Sequence, residues 1–323
     1  MKQPPAPAAP EPDSRPSTAT SRQPGRITLR SDLRASIPDG LIALVVTAAV
    51  FALLYARIKA KTSSTVTVMP FMADVGGFWM YFLSQAFGWA ALLWAWTTVV
   101  LGLLLSGPRP RWLPLSGPGL ERLHRTTSLN TIALIAAHAL LFAAELVRHD
   151  TSRWYSRLYT AFVEAFVPGG YTSGTGQIAI PVGQAALYVA VPLGLLFYVR
   201  HRIGPRTWRV LHRFVIVVYV LSVWHTLLYG TNVWYDGWFR TTIWLLQLPI
   251  AALLLIRLLR PARRSERLTR PGAAGSKSGW TLRLGGRLAA AAVIAGLLAV
   301  VISGNDGGRT IPPEDTSSSH HQD

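Results

Sequence analysis

Seven long apolar runs constrain the fold of this chain more than any other feature of its sequence. They cover residues 40–56, 77–106, 120–146, 178–198, 207–229, 241–259 and 288–303. An α-helix needs about 20 predominantly apolar residues to cross a bilayer, and most of these runs approach or exceed that length. Half of the chain is hydrophobic and only 15% is charged, which is less charge than a soluble domain carries. We therefore predict an all-α fold, a polytopic membrane helix bundle whose seventh run is short and rich in Ala.

The basic residues predict an orientation in the membrane. The net charge is +17, and Lys and Arg cluster before the first run, between the second and third, between the fourth and fifth, and after the sixth. All four clusters lie on one side if the amino terminus is cytoplasmic, as the excess of Lys and Arg in cytoplasmic loops requires. No basic stripe is interleaved with exposed aromatic residues, so we predict lipid contacts in the cell membrane and no nucleic-acid binding.

Two pairs of histidines lie within the apolar regions with nearly equal spacing. His124 and His138 are 14 residues apart in the third run, and His212 and His225 are 13 apart in the fifth. At about 1.5 Å per residue each pair spans roughly 20 Å, within a hydrocarbon core of about 30 Å. The two runs have the same direction, so His124 matches His212 in depth, and His138 matches His225 nearer the outer face. Ionisable residues inside membrane spans are costly and are functional candidates.

These depth-matched pairs predict two haems, one above the other. A low-spin haem iron takes two axial imidazoles from opposite sides of the ring, and two parallel helices supply them. The chain has no Cys, which excludes iron–sulfur clusters, thiolate-ligated haem and covalent c-type haem. The expected cofactor is haem b, with the four histidines as iron ligands. Such a pair of haems carries electrons across a membrane.

On an ideal helix, the two histidines of the third run lie close to one face, whereas those of the fifth run do not. Fourteen residues at about 100° each leave two side chains about 40° apart, close to one helix face. Thirteen residues leave them about 140° apart on an ideal helix. The fifth run must therefore be overwound, be bent, or let its two ligands reach round opposite flanks.

The stretch from Trp208 to Gly230, WRVLHRFVIVVYVLSVWHTLLYG, resembles the fifth helix of the ferric reductase-like transmembrane domain. That family includes ferric-chelate reductases, NADPH oxidases and the haem-binding membrane subunit of the bacterial methionine sulfoxide reductase system. Its pattern is Trp, a His four residues on, and a second His 13 later, which Trp208, His212 and His225 reproduce. The stretch LHRTTSLNTIALIAAHALLF is similar to the family's third helix. The resemblance covers residues 41–260 and implies the 13-residue spacing.

Composition and the resemblance together predict the order of domains. The resemblance implies a ferric reductase-like transmembrane haem domain of six helices (37–260). Composition predicts a disordered cytoplasmic tail before it (1–36), and a basic cytoplasmic linker (261–287), a seventh transmembrane helix (288–303) and a polar tail (304–323) after it. Residues after 260 contain no glycine-rich nucleotide loop on a strand-to-helix unit. Flavin is therefore expected only on a partner.

The same resemblance implies an oxidoreductase membrane component with separate partners. The expected electron donor is a cytoplasmic reductase or quinol. The expected acceptor is extracytoplasmic, namely ferric iron, a flavoprotein or a methionine sulfoxide reductase. Some NADPH oxidases have a further His near their oxygen site, and the matching position here is Phe142, so superoxide production is not implied.

The sequence allows more than one interpretation of four further residues and of the function. Arg125 and Arg213 each follow an inner histidine, and either they clamp haem propionates as bidentate partners or they only reflect the positive-inside pattern. Glu145 and His149 share a helix face and form either a metal pair or, the better reading, a polar helix end. One alternative function is a one-haem subunit of a methionine sulfoxide reductase-like system, which would use His138 and His225 or one of these with a different partner. Another is a haem-free transporter or scaffold.

Overall fold

The computed structural model describes residues 28–107, 116–259, 277–304 and 306–309. Most of the predicted tail at 1–36, residues 261–276 of the predicted linker and most of the predicted polar tail lie outside the described residues. Within the described ranges the chain forms helices joined by turns, and no named strand occurs among them.

Seven helical spans are long and apolar enough to cross a membrane. They are α2 (Ile37–Lys59), α4 (Trp79–Ser106), α5 (Gly117–His149), α7 (Gly176–Ile203), the pair α8 (Pro205–His212) and α9 (Val215–Tyr229), α10 (Trp238–Leu259) and α11 (Lys277–Ser303). Each overlaps one predicted run, which confirms the polytopic all-α bundle. Helix α11 begins earlier than predicted, so residues 277–287 of the predicted linker are helical.

Five short elements connect or precede these spans. They are α1 (Leu29–Ala35), α3 (Ser64–Val68), α6 (Trp154–Phe166) and two 3₁₀ turns at Pro70–Ala73 and Thr231–Val233. Helix α6 buries only Ala161 and Ala165, while large side chains along its other face are exposed, namely Trp154, Tyr155, Leu158, Tyr159 and Phe162. An amphipathic helix with Trp and Tyr on its free face suits the membrane–water interface.

Helix α4 lies at the centre of the bundle and packs against α2, α5, α9 and α10. Its buried face is rich in small side chains, including Ala86, Ala90, Ala91 and Ala95. In lipid the hydrophobic effect gives helices little reason to associate, so close backbone approach through small residues drives their packing. This approach brings α5, which carries His124 and His138, directly against α4.

Helix α1 corrects the prediction that the chain is disordered up to residue 36. Thr28 and Ser31 form a reciprocal capping box at its start, which satisfies free backbone N–H groups. Asp32 is buried and accepts hydrogen bonds from Arg125 Nε and the Tyr198 hydroxyl, both at 2.9 Å. A buried carboxylate needs such partners. The helix is therefore held by long-range polar contacts that local composition could not reveal.

The chain beyond α11 returns over the loop between α9 and α10. Arg240 is buried, and its Nε lies 2.9 Å from Asp306 Oδ1 while its Nη1 donates to the Val233 carbonyl at 2.7 Å. The backbone of Arg309 bonds to Trp234 O at 3.2 Å and to Asp236 N at 3.0 Å. These contacts place the end of α11 and the loop between α9 and α10 at the same end of the bundle.

Candidate haem-binding sites

The outer histidine pair consists of His138 on α5 and His225 on α9. Their ring centroids are 6.1 Å apart and their planes differ by 70°. The Nδ1 of His138 lies 2.8 Å from the Ser84 carbonyl, and the Nδ1 of His225 lies 2.8 Å from the Ala179 carbonyl. A carbonyl can only accept, so Nδ1 carries the proton in both rings. Nε2 is then the ring atom that can bind a metal.

The inner pair consists of His124 on α5 and His212 at the end of α8. Their centroids are 5.9 Å apart with an interplanar angle of 89°. His124 Nδ1 lies 3.1 Å from the Thr98 carbonyl. His212 differs, because its buried Nδ1 has no hydrogen-bond partner within the described part of the chain. It is instead stacked on Trp208, with ring centroids 5.2 Å apart and planes 21° apart.

Three glycines seat three of the four imidazoles against neighbouring helices. A Cβ built at Gly88 would lie 3.1 Å from His138 Nδ1, one at Gly102 would lie 3.2 Å from His124 Cε1, and one at Gly183 would lie 2.7 Å from His225 Nδ1. Two of these distances are tighter than ordinary contacts, and the third would force the ring to move. The helix surface is therefore shaped for these rings.

Each glycine lies four residues after the carbonyl that accepts from the same histidine. The pairs are Ser84 with Gly88, Thr98 with Gly102, and Ala179 with Gly183. In an α-helix the side chain of a residue leans over the turn before it and covers the carbonyl four positions back. A glycine uncovers that carbonyl, so the imidazole can reach it. We call this arrangement a glycine seat.

The glycine seats were missed by the sequence analysis, although one signal was present. Gly88 and Gly102 are 14 residues apart on α4, the same spacing as His124 and His138 on α5. Since α4 and α5 run in opposite directions and pack closely, this equal spacing places one glycine opposite each histidine. Gly183 on α7 gave no comparable signal.

The geometry of both pairs fits two ligands of one metal ion. A metal–imidazole bond is about 2 Å long, and the ring centre lies roughly 1 Å behind Nε2, so two imidazoles on opposite sides of an ion have centroids roughly 6 Å apart. The observed values are 5.9 and 6.1 Å. Among the described residues no group of three or more His, Cys, Asp or Glu side chains gathers. A metal held by two protein ligands must bring its other ligands, as haem iron does.

A large apolar cavity surrounds the outer pair. Its empty volume is about 1170 Å³, counting the space at its open mouth, and both His138 and His225 line it. Much of its wall is apolar, with Trp89, Phe142 and Leu187 among the lining residues. Apolar cavities between the helices of a bundle are a common place for cofactors to bind. The cavity therefore offers room for a porphyrin beside the outer ligands.

A tightened turn between α8 and α9 brings His212 and His225 closer to one face of the span, although they are 13 residues apart. Arg213 N bonds to Val210 O, Phe214 N to Leu211 O, and Val217 N to Phe214 O, each three residues back. Residues in such 3₁₀ turns rotate about 120° instead of about 100°. Over roughly three such residues the angle between His212 and His225 falls from about 140° to about 80°. Of the three options left open by the sequence, the structure has the overwound one.

The remaining predicted residues have other partners. Arg125 donates from Nε to Asp32 and from Nη1 to Glu121, both at 2.9 Å, while Arg213 is exposed at the tightened turn. His149 Nδ1 lies 3.2 Å from Glu145 Oε1, and the His149 ring is stacked on Phe78 with centroids 4.6 Å apart. Among the described residues no third ligand joins this pair, which favours a polar helix end.

A comparison with known families matches the central part of the chain. Residues 87–223 match the family described as Ferric reductase like transmembrane component. The matched segment starts one residue before Gly88, contains His124, His138 and His212, and ends two residues before His225. No curated protein and no solved structure gave a match. The match supports a ferric reductase-like transmembrane domain at residues 87–223, which suggests a membrane redox component.

Proposed function

We propose that the protein is a membrane b-type cytochrome that carries electrons through two bis-histidine haems from the cytoplasmic to the outer side. The observation that carries the proposal is the pair of facing imidazoles at two depths, each with ring centroids about as far apart as one iron requires. A rise of about 1.5 Å per residue separates the two levels by roughly 21 Å along α5. No group of three or more His, Cys, Asp or Glu side chains that could hold a different metal centre gathers among the described residues.

The side chains of the chain hold, orient and shield the cofactors. His138 and His225 would bind the outer iron, and His124 and His212 the inner iron. The backbone carbonyls of Ser84, Thr98 and Ala179 orient three of these rings, since each accepts the Nδ1 proton. When bound, haem iron supplies the one-electron chemistry. The apolar side chains of the cavity wall would limit the access of water to an iron held between His138 and His225.

Charged residues at the inner end suit the propionates of the inner haem. Arg213 is exposed beside His212, and we propose that it faces a propionate carboxylate. Arg125 already donates two hydrogen bonds to Asp32 and Glu121, so we propose that it contributes positive charge and only its remaining nitrogen to a propionate. The exposed arginines of the α7–α8 connection, Arg202 and Arg206, favour an acidic surface on a cytoplasmic reductase as donor, with quinol as the alternative.

The experiment is a haem count on purified protein and on ligand variants. A pyridine haemochrome assay should give two haems per chain. His138→Ala and His225→Ala should each remove the outer haem and leave the inner haem's reduced α and Soret bands, because each iron has its own two ligands. His201→Ala is the matched control, since His201 is exposed at the inner end of α7, and it should keep both haems.

The other possible counts identify the rival functions. One haem per chain, lost in both outer variants, would support the one-haem subunit of a methionine sulfoxide reductase-like system. Protein that purifies folded but colourless, even after reconstitution with haemin, would contradict the proposal and support a transporter or scaffold.

A further inference from the structure

We propose that His212 is an exchangeable ligand, so that a small neutral ligand such as carbon monoxide can take its place on the inner haem iron. The inference rests on the proposed function, because it needs the inner haem. It starts from a difference in how the four imidazole rings are held. Three of them have an Nδ1 bonded to a backbone carbonyl beside a glycine, and His212 has neither feature.

The two ligands of the inner iron are therefore held unequally. His124 is fixed by the Thr98 carbonyl at 3.1 Å and by close contact at Gly102. A hydrogen bond from Nδ1 fixes the orientation of an imidazole and makes Nε2 a stronger ligand. His212 lacks that bond within the described residues. Its bond to iron should be the weaker of the two, and it should break first.

The helix that carries His212 is the least anchored element of the site. None of the eight residues of α8 is buried. Gly204 precedes the helix with a φ of 83°, and the tightened turn at 213–214 follows it. Segments with few buried contacts open at low free-energy cost. By contrast, His225 stands on α9 between the buried residues Tyr219, Val223 and Val233. Movement of α8 can thus take His212 from the iron without disturbing the outer site.

An aromatic stack replaces the missing hydrogen bond. The Trp208 ring lies nearly parallel to the His212 ring at 5.2 Å, and it also contacts Phe197 at 6.1 Å. The Trp208 Nε1 is buried without a partner among the described residues. A stack allows an imidazole to slide within its plane, whereas a hydrogen bond to a fixed carbonyl does not. Trp208 is therefore a positioning residue that sets how readily His212 leaves.

The experiment measures carbon monoxide binding to the dithionite-reduced, full-length holoprotein in detergent. We expect one haem of the two to bind carbon monoxide. At high ligand concentration the rate should stop rising, because release of His212 then limits it. In His212→Ala the rate should stay proportional to concentration, and the spectrum of the complex should match that of the wild type.

Variants at two tryptophans separate positioning from general destabilisation. Trp208→Ala should raise the limiting rate roughly two- to tenfold, as the loss of one aromatic pair implies. Trp208→Phe keeps the stack and should restore a rate close to the wild type. Trp224→Ala is the matched control, because Trp224 is 52% exposed and adjoins the outer ligand, and it should leave the rate unchanged.

The outcomes distinguish this inference from the proposed function. Two haems per chain, neither of which binds carbon monoxide, would overturn the inference and leave the proposed function intact. Binding whose limiting rate is the same in Trp208→Ala and in the wild type would also overturn it. Protein that holds no haem would overturn the proposed function instead.

Discussion

At the residue scale, the site depends on what is missing from three positions. Gly88, Gly102 and Gly183 have no side chain where an imidazole must approach, and each uncovers a carbonyl that orients the ring. In the proposed sites the histidines would supply the metal-binding atoms, and the glycines let each ring reach the carbonyl that orients it. Loss of a glycine should therefore act on one haem alone, although no metal ligand is changed.

We expect Gly183→Ala to weaken or abolish binding of the outer haem. Its Cβ would lie 2.7 Å from His225 Nδ1, so the ring must leave the Ala179 carbonyl, and overpacking of this kind costs about 1–3 kcal/mol. The measurement is haem content with thermal release followed at the Soret band. Gly194→Ala is the matched control on the same helix, because its Cβ meets only the flexible end of Ile132. Equal haem release from both variants would show that the glycine seat at Gly183 does not contribute to binding of the outer haem.

At the scale of single elements, the break between α8 and α9 sets the angle between His212 and His225 around the span. A continuous α-helix would point His212 and His225 about 140° apart, and the tightened turn brings them towards one face. Removal of a residue there should turn His212 and His225 to opposite sides of the span.

We expect deletion of Phe214 to cost the protein one of its haems. The deletion turns α9 by about 100° relative to α8, which moves His212 and His225 from about 80° apart to nearly opposite sides of the span, so they can no longer both face α5. Haem content and the reduced α band report the loss. Deletion of Ser173, in the exposed loop between α6 and α7, removes a residue elsewhere and should keep both haems. Two retained haems in the first variant would contradict the phase argument.

The contacts beyond α11 give a second prediction at this scale. Tyr235 and Arg309 form an isolated parallel bridge, and bridged residues have Cα atoms close enough for a disulfide. The chain has no Cys of its own, so the double variant Tyr235→Cys with Arg309→Cys should form an intramolecular disulfide on mild oxidation. A shift in non-reducing gel mobility after proteolysis between the two sites detects it. Each single variant is the control, and a double variant that stays reduced would place this segment elsewhere.

At the scale of the whole molecule, the proposed direction of electron flow depends on which connections lie at each end of the bundle. The inner histidine pair, α8 and the ends of α4 and α7 share one end of the bundle, and the loop between α6 and α7 lies at the other. The basic connections at the first end are expected to face the cytoplasm. Electrons from a cytoplasmic donor would then enter near His212 and leave near His225.

We expect single cysteines at the two ends to label oppositely with an impermeant thiol reagent on intact cells. Ser173→Cys in the outer loop should react, and Thr207→Cys on α8 should react only after permeabilisation. Both positions are exposed in the structure, so accessibility to reagent differs only by membrane side. If only Thr207→Cys were labelled on intact cells, the topology would be the opposite of the one proposed, and the proposed direction of electron flow would be reversed.

The sequence by itself determined the membrane bundle, the approximate bounds of its spans and the four histidines, because apolar length and helical spacing are local properties of the chain. The tertiary structure alone decided which atoms orient those histidines. The carbonyls of Ser84, Thr98 and Ala179 belong to other helices, and contacts between helices leave no local pattern. The same reason explains the ordering of α1 by Arg125 and Tyr198. It also explains the isolation of His212, since the absence of a partner is visible only when every neighbouring helix is in place.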